Sequence, residues 1–128
     1  MKKLVILVLS VGIFFGCLLA SPKASAKGSK NYEKLVLDKK ANLAQITNPA
    51  YFDESLNETF AISDHSDMNG VCLHFGFEEA VENKTAECNA DQLAVIDSSG
   101  EVNSYYGNDN PKENRRITVI TCVIKKKN

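Results

Sequence analysis

Residues 63–77 constrain the fold more tightly than any other stretch of the chain. Met68, Val71, Cys72 and Phe75 recur at i, i+3, i+4 and i+7, which places all four on one face of a helix. Ser66 or Asp67 is suited to cap its start, because a short side-chain oxygen accepts from the free backbone N–H groups there. Gly76 fits the left-handed position just past the end, and Phe77 then packs back on Cys72 as in a Schellman stop. Start, stripe and stop together specify one short helix with a cysteine at the centre of its buried face.

A second cysteine answers the first. Residues 117–124 form the strongest strand pattern, in which Cys122 alternates with Ile120 and Ile124. Cys72 and Cys122 therefore face the same core between helix and sheet, and the predicted disulfide joins them. Cys72–Cys88 is the local alternative. Cys88 sits in the polar run Ala86-Glu87-Cys88-Asn89-Ala90-Asp91 and is read as a free or intermolecular thiol, with a Cys88-linked dimer as one consequence.

A disulfide requires an oxidising compartment, and the amino-terminal residues supply the route. Lys2 and Lys3 precede a short apolar run, and Ala24-Ser25-Ala26 closes it, which is the pattern of a secretory signal peptide. Cleavage after Ala26 leaves one domain, residues 27–128, that is secreted or periplasmic. The alternative is lipid anchoring through Cys17. The apolar run is short for a membrane-spanning helix, which needs about 20 residues.

Once Lys2, Lys3 and Lys23 leave with the leader, 12 basic residues face 16 acidic ones. Residues 51–110 hold 13 acids and the single base Lys84. Such a surface is ill suited to neutralising phosphates, so nucleic acid is not an expected partner. The lysines at 125–127 are read as a solvated end.

Residues 32–37 and 59–63 read as short strands, 41–46 is ambiguous, and Asn48-Pro49 is a break. The acidic run 78–87 is read as surface helical turns. Residues 93–97 and 101–106 form a hairpin around Asp97-Ser98-Ser99-Gly100. The expected fold class is α+β: a small antiparallel β-meander near 93–97, 101–106 and 116–124, covered by the one short helix and stabilised by the disulfide.

Residues Val71-Cys72-Leu73-His74-Phe75-Gly76-Phe77 resemble the V-C-x-x-L-G helix of scavenger receptor cysteine-rich domains. The likeness covers this segment alone. The Trp-rich strand that opens those domains has no counterpart, since the chain has no Trp. Nothing beyond a helix that presents a cysteine to a sheet is carried over.

Chemical motifs are sparse. His65 and His74 are the only histidines, and neither H-E-x-x-H nor paired C-x-x-C is present, so no metal or cofactor is expected. Cys72 and His74 lie two apart on a helix and point about 200° away from each other, which rules out a nucleophile–base pair. Tyr105 and Tyr106, with Asn108 and Asp109 in the following loop, are the candidate contact surface, because tyrosine combines apolar area with a polar tip. The functional expectation is a non-catalytic binding protein for an unknown protein or envelope component. Its alternatives are an inhibitor of a secreted hydrolase and a small enzyme using His65 or His74.

Overall fold

The computed structural model of the chain describes residues 30–107, 110 and 113–124. The expectations for the leader at 1–26, Cys17, Asn108, Asp109 and the lysines at 125–127 lie outside these residues. Antiparallel β-structure dominates: β1 (Lys30–Asn31), β2 (Lys34–Asp38), β3 (Leu43–Thr47), β4 (Ala50–Asp53) and β5 (Glu58–Ala61) precede the helix α1 (Met68–His74). After it come β6 (Ala80–Glu87), β7 (Leu93–Ile96), β8 (Val102–Tyr106) and β9 (Arg115–Val123).

The helix follows its sequence signals. Asp67 is the N-cap, and its Oδ1 accepts from the Gly70 N–H at 2.9 Å. Ser66 has a different task, since its Oγ accepts from the Ile96 N–H at 3.0 Å and ties the helix start to β7. At the other end the Phe77 N–H reaches the Cys72 carbonyl at 2.9 Å and the Gly76 N–H reaches Leu73 at 3.0 Å. Those two bonds, with Gly76 at φ +91°, are the Schellman pattern. Val71, Cys72 and Phe75 are buried, Met68 packs beside them, and Leu73 on the opposite face is exposed.

Four strands form the main sheet in the order β2-β3-β9-β6, and β1-β4-β5 and the β7-β8 hairpin complete the fold. The expected three-strand meander is corrected here: β7 and β8 pair as predicted, but β9 lies between β3 and β6 rather than beside β8. The reason is two-sided burial. β9 buries the adjacent pair Arg116 and Ile117 and then Ile120, Thr121 and Cys122 in succession, so both of its faces are covered, which suits a central strand. Residues 62–63 stitch the pieces together, Ile62 bridging to Ala94 of β7 and Ser63 to Arg116 of β9.

A second correction concerns residues 78–87. They form the strand β6, paired along β9, and not helical turns. As an edge strand β6 leaves Val81, Glu82, Asn83 and Lys84 exposed, so it carries no apolar period of its own. Its conformation comes from the backbone ladder to β9.

Cys72 and Cys122 are joined by a disulfide with Cα atoms 5.7 Å apart. In register Cys122 lies between Ala44 of β3 and Ala80 of β6, and these small neighbours leave room for the helix above the sheet. Around the bond lies one core of Ile46, Phe60, Ile62, Val71, Phe75, Ala94, Ile96, Ile117 and Ile120.

Cys88 departs from its expected setting. It is 2% exposed and packs with Ala61 and Leu93 in a smaller cluster, held by its N–H to the Asn114 carbonyl at 2.8 Å. Among the described residues no cysteine is a free thiol, Cys88 included. The exposed setting read from its polar neighbours is thus corrected, since the side chain is buried. The polar residues around it face outward while the chain leaving β6 turns this one side chain inward.

Candidate binding surface

The β4–β5 hairpin carries an exposed group of side chains ordered by hydrogen bonds. Its turn, residues 53–58, is built by one carboxylate. Asp53 Oδ1 accepts from the Ser55 N–H at 3.0 Å, the Ser55 hydroxyl at 2.7 Å and the Leu56 N–H at 3.2 Å. An aspartate that folds its own following residues this way makes a tight turn without needing a core. Asn57 closes it in the left-handed region at φ 54°, a conformation asparagine tolerates better than most residues.

The other oxygen of the same carboxylate is held from a distant strand. Tyr105 of β8 donates its hydroxyl to Asp53 Oδ2 at 2.5 Å, and its ring packs on Phe60 with centroids 4.5 Å apart. Hydrogen bonds from Tyr105 and then Ser55 hold the Asp53 carboxyl below its ordinary range. Burial, followed by the bond to Asp53, raises the Tyr105 phenol well above its own. Tyr51, beside them on β4, is also raised, first by burial and then by the Asp53 and Glu54 charges. The result is a stiff acidic turn, with Glu54 and Glu58 on its rim and Leu56 exposed at its tip.

Of the predicted contact residues, Tyr105 and Tyr106 are placed on opposite faces of β8, as alternation requires. Tyr106 lies over His65 with ring centroids 4.0 Å apart, and His65 Nε2 is 3.9 Å from Asp64 Oδ1. The two tyrosines therefore belong to separate patches. Asp53, Ser55 and Leu56 were missed as a site; the D-x-S spacing after Tyr51-Phe52 is the signal that marks the turn.

His74 sits behind the hairpin, T-shaped against Tyr51 at 5.9 Å. Its Nδ1 is 3.0 Å from the Gly100 carbonyl, which can only accept, so Nδ1 carries the proton. Nε2 is buried without a hydrogen-bond partner among the described residues. Burial pulls the imidazole below its ordinary value, more than the Gly100 bond raises it. His65 and His74 thus stand in different environments. Among the described residues no cluster of His, Cys, Asp and Glu is placed to hold a metal ion.

Arg116 is the one deeply buried cation of the described core strands, 2% exposed, with Nη2 donating to the Pro49 carbonyl at 3.3 Å. Burial lowers it to about 10, against a smaller opposing pull from Glu33. It braces β9 against the β3–β4 connection and does not reach the hairpin surface.

No known protein family, curated protein or solved structure matches the chain. The site has to be read from its own geometry. Among the described residues no helix is long and apolar enough to cross a membrane.

Proposed function

We propose that this is a small exported, non-catalytic binding protein that recognises a basic protein partner through the β4–β5 turn. The observation that carries the reading is the locking of the turn by both oxygens of Asp53. A turn already held in one shape loses little freedom on binding, so its exposed groups are presented ready for a partner. Leu56 is the apolar anchor, and Asp53, Glu54 and Glu58 set the charge of the rim, which favours lysine- or arginine-rimmed pockets. Export is supported by the leader pattern and by a Cys72–Cys122 bond that suits an oxidising compartment.

The same stiffness favours a second reading, inhibition of a secreted hydrolase. Proteases take extended substrate backbone, and this tip is a tight turn, so such inhibition works by plugging a pocket and leaves residues 53–58 uncut. Binding and inhibition are measured together on a panel of purified secreted hydrolases of basic and acidic charge. The expected result is binding to basic members that weakens at least about tenfold in L56D and falls with salt. Equal binding by wild type and L56D, or no binding to any basic member, overturns the assignment to this turn. Loss of enzyme activity on binding selects the inhibitor reading.

A further inference from the structure

The main sheet ends in two edges that are built differently. β6, on one side, is interrupted by register shifts at Ala80/Glu82 and Lys84/Thr85 and carries Glu82, Lys84 and Glu87. Bulges and charges of this kind stop an edge from pairing with another strand. β2, on the other side, pairs with β3 in unbroken register from Lys34–Thr47 to Asp38–Leu43. Its outer edge has no strand partner among the described residues, and Val36 and Leu37 are 45% and 47% exposed.

The hydrogen-bond parity of this edge follows from the neighbouring ladder. The Asn48 N–H bonds the Thr118 carbonyl, and the Ile124 N–H bonds the Asn42 carbonyl, so even-numbered positions of β3 turn their backbone groups towards β9. Leu43, Gln45 and Thr47 turn theirs towards β2, and their partners Asp38, Val36 and Lys34 are satisfied there. Leu35 and Leu37 consequently direct their N–H and C=O groups outward.

The five residues read Lys-Leu-Val-Leu-Asp, which is complementary to itself when run antiparallel. With a two-fold axis at Val36, Leu35 of each copy lies opposite Leu37 of the other. Those are the positions whose backbone groups have no strand partner among the described residues, so four inter-chain hydrogen bonds close. The same register sets Lys34 of each copy against Asp38 of the other, both on the face away from the core. Leu37 of the second copy then arrives against Leu35, a wall of the 370 Å³ groove that Tyr32, Ile46, Phe75 and Phe77 also line. Other registers of the right parity, centred on Leu35 or Leu37, lose the charge pairs.

We infer that β2 is a homodimer interface at which two copies join edge to edge about Val36, making one continuous eight-stranded sheet. The contact is isologous and closes on itself, so it ends at two copies. It leaves the β4–β5 turn of each copy free.

Sedimentation equilibrium on the purified protein tests this. The expected wild-type mass rises towards twice the chain mass as concentration approaches about 1 mM, the range of a weak interface. V36K sets two lysines together on the axis, and L37P removes an outward donor at an edge position where proline is tolerated. Both variants should keep the wild-type circular dichroism and raise the dissociation constant at least about tenfold. K34D and D38K should each weaken the dimer alone and restore it when mixed in equal amounts, because the mixed pair regains both charge contacts. A wild type that stays monomeric at that concentration, a dimer that V36K and L37P leave intact, or a K34D and D38K mixture no stronger than either alone overturns the interface.

Discussion

At the residue scale, His74 and Asp53 show how one side chain's surroundings set its behaviour. Burial lowers the folded His74 below the ordinary histidine value of about 6.5, so between the two values the unfolded chain binds more protons. Its contribution to stability is intact above about pH 6.5 and is lost as pH falls towards the folded value. The urea midpoint of the wild type is expected to drop between pH 7.5 and 5.5, with the drop reduced in H74Q. The Asp53 and Asp97 carboxyls, both held low, act in a separate window that opens only below about pH 4. Removing the Tyr105 hydroxyl frees one oxygen of Asp53. Y105F should cost about 1 kcal/mol, the modest worth of a half-exposed bond, and should raise the Asp53 titration midpoint seen by NMR. An unchanged Asp53 midpoint in Y105F would remove the tie between β8 and the turn.

At the scale of elements, the helix is held by what it abuts. Gly70 lies in its first turn, where alanine would favour helix by up to about 1 kcal/mol on propensity alone. A Cβ there would stand 1.9 Å from the Asp97 carbonyl oxygen and 2.8 Å from its carbon, backbone atoms of the β7–β8 turn. The clash outweighs the propensity, and G70A is expected to lower stability by about 1–3 kcal/mol in thermal melts. Gly76 has open space around it, so its role is conformational: φ +91° is the left-handed stop that returns the chain to β6. Both glycines sit in the helix motif, yet only one is required for close approach.

At the scale of the whole molecule, the disulfide ties the helix to the central strand across 50 residues of sequence. Loop-closure entropy for a link of that span is about 4 kcal/mol. The double variant C72S/C122S is therefore expected to lose about that much in denaturant unfolding, a large share of a small domain's total. Non-reducing peptide mapping should return Cys72 linked to Cys122. Mapping also tests the leader, since cleavage after Ala26 removes Cys17. An exported product that begins before Cys17 and keeps Cys88 bridged within the chain would overturn that cleavage site.

The sequence by itself determined what depends on neighbours a few residues away. The stripe Met68, Val71, Cys72, Phe75, the Asp67 cap and the Gly76 stop made the helix legible, and the turn at residues 97–100 announced the β7–β8 hairpin. Face assignment from these patterns was enough to pair Cys72 with Cys122. Tertiary structure alone decided the rest. β6 has no apolar period because an edge strand draws its conformation from the ladder it joins, so its acidic run read as helix. Cys88 read as exposed because its polar neighbours point outward, while only the packing of Ala61 and Leu93 shows which way the cysteine turns. Strand order was hidden for the same reason: β9 could pair with any edge of matching register, and burial of both its faces between β3 and β6 made the choice. The Asp53–Tyr105 bond spans 52 residues, and no local pattern in the chain encodes a contact that exists only after the sheets have met.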